Sequence, residues 1–98
     1  MGLCEEGRGG EYIEKFYRLS QETGTLDPND FPINTHGGLL MFGAPWEVPA
    51  MYSILEACDQ IMGKADDRQV DGCRRALCYG NGGIFSHSSV AILSRPVA

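Results

Sequence analysis

Four cysteines and two histidines are the first candidates in this sequence for nucleophilic, metal-binding or acid–base chemistry near neutral pH. The cysteines stand apart from one another, at Cys4, Cys58, Cys73 and Cys78. None of them forms a Cys-x-x-Cys pair, and His36 and His87 are not placed at zinc-finger spacing. Two disulfides are arithmetically possible, but without a secretion signal we expect reduced thiols. We therefore predict no metal site.

Glycine and aspartate form the other notable groups. The glycines cluster at positions 7–10, 37–43 and 80–83. Clustered glycines indicate places where the backbone turns tightly or comes close to another group. The three aspartates near position 70 are interpreted as a solvated loop, because no further carboxylates cluster with them. They are Asp66, Asp67 and Asp71.

The composition restricts the classes of partner. The chain has 98 residues, a formal net charge of −5, 43% apolar residues and 21% charged residues, which is typical of one soluble domain with a modest core. Its negative charge would repel nucleic-acid phosphates. No apolar run approaches the roughly 20 residues that cross a membrane, and the acidic start lacks a signal core. We expect a cytoplasmic protein with no nucleic-acid or membrane partner.

Two helices are predicted. Apolar residues recur at helical spacing from Glu11 to about Gln21 or Gly24. A second helix should run from Val48 to Met62, with Pro49 in its first turn and Gly63 ending it. Six residues form one stripe along this helix, which we expect to pack in the core. They are Met51, Ile54, Leu55, Cys58, Ile61 and Met62.

The remaining segments predict a loop, a short strand and a hairpin. Residues 25–32 carry strong turn chemistry, and the apolar run 39–42 is short enough to be a buried strand. Residues 75–79 and 84–93 should pair as an antiparallel hairpin around an Asn-Gly turn at 80–83. So few elements cannot cover both faces of a sheet. The pattern therefore predicts an incomplete α/β domain.

The segment from Asn34 to Pro45 resembles a thiolase motif. It reads Asn-Thr-His-Gly-Gly-Leu-Leu-Met-Phe-Gly-Ala-Pro. The thiolase pattern is Asn-x-x-Gly-Gly, four residues, then Gly-His-Pro, and the spacing matches without a gap. One motif of this kind is a weak signal, so its order relative to other motifs matters.

Three further segments follow the thiolase order. They are the Cys-Glu-Glu-Gly-Arg-Gly opening at 4–9, Arg-Gln-Val at 68–70, and Cys-Tyr-Gly-Asn-Gly-Gly at 78–83. Together they are similar to the end of a thiolase's second half, particularly in sterol-carrier-protein-type (lipid-transfer) thiolases. The resemblance implies that residues 1–98 are the C-terminal portion of a thiolase-like C-terminal domain. That portion would hold the last helices and closing antiparallel hairpin of a partial thiolase-like α/β fold.

The resemblance also implies catalytic roles. The Gly-His-Pro histidine of a thiolase activates the nucleophile and polarises the thioester, but Ala44 stands there in this chain. Cys78 falls where thiolases carry a second catalytic cysteine, which exchanges a proton with the α-carbon of the acyl acceptor. The alternative for Cys78 is a buried structural cysteine. A shift of one residue would place Tyr79 there, and Tyr79 or Tyr52 could serve as the acid or base of an aldolase-type relative.

The loop and the hairpin turn would bind substrate. We expect Asn34 to cap or brace the loop through its side-chain amide. By resemblance, His36 lies near the mouth of the site, and hydrogen bonding within the loop is its favoured role. Gly80, Asn81 and Gly82 would let the backbone approach a thioester and donate N–H groups to its oxygen. A glycine-rich turn without a ligand is equally compatible with the sequence. We expect no cofactor beyond a CoA thioester as substrate.

Three functions remain open from the sequence. The first is a C-terminal fragment or subunit of a thiolase-like acyltransferase, which makes or breaks carbon–carbon bonds next to a CoA thioester. The others are a non-catalytic acyl-CoA-binding or interaction module and a retro-aldol lyase subunit. A thiolase's nucleophile lies in its first half, so we expect an N-terminal half or partner subunit and an oligomer. A lipid-metabolism or lipid-transfer role accompanies the resemblance.

Overall fold

The computed structural model describes residues 4–46, 48–84 and 86–97. Its elements, in chain order, are helix α1 (Gly9–Thr23), helix α2 (Gly38–Phe42), helix α3 (Val48–Met62), a 3-10 turn (Asp66–Arg68), strand β1 (Arg75–Gly82) and strand β2 (His87–Ser94). The mixture of helices and an antiparallel pair confirms the partial α/β fold class. None of the helices in these ranges is both long and apolar enough to cross a membrane.

Helix α1 confirms the first predicted helix. The helix is capped after Thr23 by Gly24, whose φ of 74° lets its N–H donate to the Ser20 carbonyl. The loop that follows also forms the predicted turn, because the Asp27 carbonyl accepts the Asp30 N–H at 3.0 Å. Phe31 at the end of this loop packs on α1, with its ring centroid 5.0 Å from that of Phe16. The aromatic contact fixes the loop to the helix.

The predicted strand at 39–42 is wrong, because these residues form α2. Gly37 (φ 100°) and Gly38 (φ 62°) turn the chain sharply before it, and the Asn34 carbonyl accepts the Gly37 N–H at 2.8 Å. A Cβ on Gly37 would lie 2.2 Å from the Met41 side chain, so the turn requires glycine there. The apolar run is also not buried, since Leu40 is 99% exposed.

Helix α3 has the predicted bounds but not the predicted buried face. Met51, Leu55 and Met62 are each more than half exposed. Of the predicted stripe only Ile61 is buried, with Cys58 half-buried. The buried positions of α3 are Glu56, Ala57, Gln60 and Ile61. The helix therefore turns a partly polar face inward, toward β1 and the 3-10 turn.

Strands β1 and β2 form the predicted antiparallel hairpin, but its turn lies later in the chain. Pairing runs from Arg75 opposite Ser94 to Gly82 opposite His87, so the predicted Asn-Gly turn is part of the ladder. The chain leaves β1 at Gly83, where φ is 62° and a Cβ would lie 2.3 Å from the Ser86 hydroxyl oxygen. The left-handed glycine places the turn there.

The hairpin has one covered and one open face. Ala76, Cys78 and Gly80 alternate along β1 as half-buried residues on the side of α3. The opposite face is apolar and exposed, and it comprises Leu77, Tyr79, Val90 and Ile92. The buried apolar residues of the described chain are Ala57, Ile61 and Ala65. The core is thus confined to a small region beneath α3.

Candidate functional site

A polar cluster lies at the most buried part of α3. Glu56 and Gln60 are one helical turn apart, and only 8% and 5% of their surfaces are exposed. The Glu56 carboxylate accepts hydrogen bonds from the Arg68 guanidinium, with Nη2 at 3.0 Å from Oε2. The Thr35 hydroxyl donates to Oε1 of the same carboxylate at 2.6 Å. Glu56 therefore joins the loop before α2 to the segment after α3.

Gln60 extends this cluster along the main chain. Its amide nitrogen donates to the Arg68 carbonyl at 2.6 Å, and its amide oxygen accepts the Val70 N–H at 2.8 Å. The Gln69 side chain donates in turn to the Gln60 carbonyl at 2.9 Å. The Arg-Gln-Val segment thus closes the polar side of α3, which gives that sequence motif a physical role.

The surroundings of Glu56 keep its carboxylate charged. Burial acts to raise its pKa, but the hydrogen bonds from Arg68, Thr35 and Gln60 outweigh burial, so the pKa lies below its ordinary value. Sequence reasoning missed Glu56 and Gln60. Polar residues four apart that interrupt an apolar helix were a signal that could have indicated them.

His36 lies at a cavity of about 230 Å³ beside α3. Its ring stacks on that of Phe42, with the ring centroids 5.6 Å apart, and the Phe42 and Tyr52 ring centroids are 5.2 Å apart. The cavity lining consists of His36, Phe42, Tyr52, Leu55, Glu56, Asp59 and Arg68. The Nδ1 atom of His36 is buried, and it has no hydrogen-bond partner among the residues that the structure describes. A polar group in this cavity could satisfy that nitrogen.

Cys78 lies on the face of β1 that covers α3. Its Sγ is 3.5 Å from the Ser53 carbonyl, to which the thiol can donate. Burial, and to a lesser extent the nearby Cys58, raise the pKa of the Cys78 thiol. The group therefore keeps its proton at neutral pH. It is suited to donating a proton rather than to acting as a thiolate nucleophile.

Tyr79 and Tyr52 occupy different surroundings from Cys78. Tyr79 is on the open face of the hairpin, 49% exposed, with its hydroxyl 3.0 Å from that of Ser88. Tyr52 lines the His36 cavity. The two alternatives for the catalytic position, Cys78 and Tyr79, thus lie on opposite faces of β1.

The structure places the predicted site residues around one helix but not in one pocket. Tyr52 contacts the His36 cavity, whereas the next residue, Ser53, contacts Cys78. The described residues that line the cavity do not include Cys78. Gly80, Asn81 and Gly82 lie in the paired part of β1, opposite Ser89, Ser88 and His87.

Asn34 and Ala44 bracket the motif around α2. Asn34 is exposed and adopts a left-handed φ of 48°, and it accepts a hydrogen bond through its main-chain carbonyl rather than its side-chain amide. Ala44 is exposed, and its carbonyl accepts the Trp46 N–H at 2.9 Å. Within residues 4–46, 48–84 and 86–97, no three His, Cys, Asp or Glu side chains come together where they could hold a metal ion.

Comparison with known proteins identifies the family. The sequence pattern described as thiolase C-terminal domain-like matches residues 1–95. The chain belongs to this thiolase C-terminal domain-like family. Acetyl-CoA acetyltransferase of Methanothermobacter thermautotrophicus is 30% identical over 97% of this chain and 23% of its own length. Sterol carrier protein 2 of Bos taurus is 34% identical over 84% of this chain and 14% of its own. The human protein of that name is 33% identical over the same share.

These matches confirm the thiolase resemblance. They cover the loop, α3, the Arg-Gln-Val segment and the hairpin together, since the family pattern extends across residues 1–95. The chain spans less than a quarter of the length of the relatives that it matches, at 23% and 14%. The catalytic and substrate-binding roles of individual residues in this family member stay predictions.

Proposed function

We propose that this chain is the C-terminal part, or a separate C-terminal subunit, of a thiolase-like acyl-CoA enzyme and that it is incomplete alone. The enzyme would transfer acyl groups, or make or break a carbon–carbon bond next to a CoA thioester. The observation that carries the proposal is Cys78. By resemblance it falls where thiolases carry a second catalytic cysteine, and it lies on the hairpin face toward α3 as a thiol whose raised pKa keeps it protonated.

A protonated thiol suits one step of this chemistry. When a carbon–carbon bond next to a thioester breaks, the α-carbon is left with the electron pair and needs a proton. Cys78 could donate that proton, and in the reverse direction its thiolate could remove one. The nucleophile that accepts the acyl group would come from the N-terminal half, and the Gly-Asn-Gly stretch after Cys78 would face the thioester.

The exposed area of the chain supports the requirement for a partner. A folded monomer of 10.7 kDa exposes about 5,500 Å², whereas this chain exposes 7915 Å². The excess of about 2,400 Å² is what one partner contributes to a large obligate interface. The open apolar face of the hairpin and the exposed stripe of α3 belong to this excess. We infer that an N-terminal thiolase half or another subunit covers them, so that the working protein is an assembly.

A complex with a chain that carries the first half of a thiolase tests the proposal. We expect that complex to cleave a 3-oxoacyl-CoA with free CoA, with both shorter acyl-CoA products seen by liquid chromatography. Cys78→Ala should lower turnover by about 100-fold or more, the scale of a general acid–base group. Cys73→Ala is the matched control and should leave turnover unchanged. Equal turnover in the wild type and Cys78→Ala would overturn the role of Cys78.

Ala44 favours a second candidate, a retro-aldol lyase subunit. Without the imidazole, thioester activation for acyl transfer lacks its usual group at that position. Retro-aldol cleavage of a 3-hydroxyacyl-CoA needs only a base for the hydroxyl proton and an acid for the α-carbon. Tyr52 in the His36 cavity could take the first part. A complex that cleaves the 3-hydroxyacyl-CoA but not the 3-oxoacyl-CoA would select this candidate.

A non-catalytic acyl-CoA-binding module is the remaining candidate, also favoured by Ala44. Calorimetric titration of the complex with an acyl-CoA separates it from the others. Binding without turnover of either substrate would select it.

We also propose a cytoplasmic location, because all four cysteines are free thiols, which a reducing compartment preserves.

A further inference from the structure

The buried cluster on α3 connects the two segments on which the proposed site depends. Thr35 directly precedes His36, and its hydroxyl donates to the Glu56 carboxylate at 2.6 Å. On the other side, Arg68 holds the same carboxylate with Nε 3.2 Å from both oxygens. Arg68 begins the segment that leads into β1, where Cys78 lies. One carboxylate therefore fixes both the His36 loop and the approach to the hairpin.

We propose that Glu56 is a positioning residue, which sets the placement of His36 through Thr35 and of the Cys78 hairpin through Arg68. The proposal rests on the proposed function only where it takes His36 and Cys78 to face substrate. The placement itself is a property of this chain and can be measured without turnover.

In the described residues, the loop is held by the stacking of His36 on Phe42 and by the hydrogen bonds of Thr35. Asn34 has a left-handed φ of 48°, a backbone conformation that a non-glycine residue adopts only when its surroundings favour it. The main-chain hydrogen bond from Gly37 to Asn34 is internal to the loop. The Thr35 hydroxyl therefore makes the hydrogen bonds that join the loop to α3, to Glu56 and from Gln60 at 3.2 Å.

The charge on Glu56 strengthens this link. A hydroxyl that donates to a carboxylate makes a shorter and stronger bond than one that donates to a neutral group. The groups that hydrogen-bond to the Glu56 side chain in the described residues all donate to it, namely Arg68, Thr35 and Gln60. Losing the Thr35 hydroxyl should thus release the loop while leaving the ion pair of Glu56 with Arg68 in place.

Two substitutions at Thr35 separate the hydroxyl from the methyl group. Thr35→Val keeps the shape and the methyl but removes the hydroxyl, whereas Thr35→Ser keeps the hydroxyl and removes the methyl. If the hydrogen bond positions the loop, Thr35→Val should release the loop and Thr35→Ser should keep it in place. If Thr35 only packs, the order should be reversed.

The first measurement is hydrogen–deuterium exchange by mass spectrometry on the whole chain. We expect Thr35→Val to raise the exchange rate of residues 33–43 by about tenfold, the effect of losing one charge-assisted hydrogen bond on a local opening equilibrium. Residues 9–23 in α1 are the internal reference and should not change. Thr35→Ser should stay within about twofold of the wild type.

The second measurement uses the two histidines as probe and control. Diethyl pyrocarbonate modifies accessible imidazole nitrogens, and His87 on β2 is already exposed. In Thr35→Val and in Glu56→Gln, His36 should be modified several-fold faster, while the rate at His87 stays the same. A uniform loss of stability would also expose His36 without changing His87, so the exchange of α1 in the first measurement distinguishes it from a local release of the loop.

The outcomes are distinct from those of the proposed function. Faster exchange and modification in Thr35→Val but not in Thr35→Ser support the positioning role, whether or not any complex turns over acyl-CoA. The proposal is overturned if Thr35→Val behaves as the wild type, or if exchange in that variant rises equally in residues 9–23 and 33–43. If Glu56→Gln does not fold, the Thr35 pair carries the test alone.

Discussion

Replacing Arg68 with methionine should reveal how strongly the buried carboxylate of Glu56 depends on its partner. Methionine keeps most of the aliphatic stem, so the change removes mainly the guanidinium. The Arg68 main-chain carbonyl would still accept the hydrogen bond from Gln60. The perturbation therefore isolates the ion pair.

The size of the effect follows from the burial of the two side chains. Breaking a fully buried ion pair costs about 3–5 kcal/mol, because a charge is left without compensation. Here the Glu56 side chain is 9% exposed but that of Arg68 is 42% exposed. Water can therefore reach the vacated position and solvate part of the carboxylate, so we expect a loss of roughly 2 kcal/mol in the free energy of unfolding.

The chain offers a matched control in the pair between Arg18 and Glu14 on α1. Arg18 Nη2 and Glu14 Oε1 are 2.6 Å apart, but the two side chains are 73% and 57% exposed. Arg18→Met should cost no more than about 0.5 kcal/mol, as for other exposed helical pairs. The assay is urea unfolding followed by circular dichroism at one fixed protein concentration, since assembly makes stability depend on concentration. Equal losses in the two variants would refute the reasoning.

Three further predictions concern other groups. The stability advantage of the wild type over Glu56→Gln should be complete above the ordinary glutamate pKa of 4.5 and should disappear as pH falls through the lower pKa of the folded state. Denaturant unfolding at several pH values measures this advantage, and an advantage that grows below pH 4 would contradict the prediction. Gly83→Ala should lower the free energy of unfolding by about 1–2 kcal/mol, because the turn needs a left-handed residue. Gly80→Ala, where a Cβ would meet open space, is the control in the same unfolding assay, and equal losses in the two variants would contradict the assignment of the turn to Gly83. Iodoacetamide should alkylate Cys78 more slowly than the exposed Cys4, because burial raises the pKa of the Cys78 thiol; a mass-spectrometric time course that shows Cys78 reacting first would disprove this.

The sequence predicted the elements whose boundaries are set by local chemistry. Pro49 and Gly63 delimit α3 at the predicted positions, and β-branched residues predicted the hairpin. Its turn was misplaced because Asn81 and Gly82 remain paired in the ladder, while Gly83 supplies the positive φ. Choosing among neighbouring glycines needs the register, which depends on contacts between the strands.

The buried face of α3 could not be predicted from its apolar pattern. Met51 and Leu55 are exposed in this chain, whereas Glu56 and Gln60 are buried. Apolar periodicity shows which residues avoid water in the working assembly, but not whether the covering surface belongs to the same chain. For the same reason the run from Leu39 to Phe42 was taken for a buried strand. Polar burial depends on partners distant in sequence, such as Thr35 and Arg68, which no local pattern reveals.

The matched family pattern covers the segments that carry Cys78 and His36, but the motifs did not predict the relation of these two residues in space. Both lie against α3, on sides marked by the adjacent residues Ser53 and Tyr52. The distance of each side chain from bound substrate depends on the N-terminal half that the proposal requires. The link through Glu56 emerged only from the folded chain.

A chimeric enzyme tests the central claim most directly. The segment of the Methanothermobacter thermautotrophicus acetyl-CoA acetyltransferase that matches this chain over 95 residues would be replaced by the chain itself. Turnover of 3-oxoacyl-CoA and 3-hydroxyacyl-CoA would then be measured beside the isolated chain. We predict that the chimera assembles and turns over one of these substrates in a manner that depends on Cys78, while the isolated chain turns over neither. A chimera that assembles at the size of its parent yet turns over neither substrate, or an isolated chain that is active by itself, would contradict the claim.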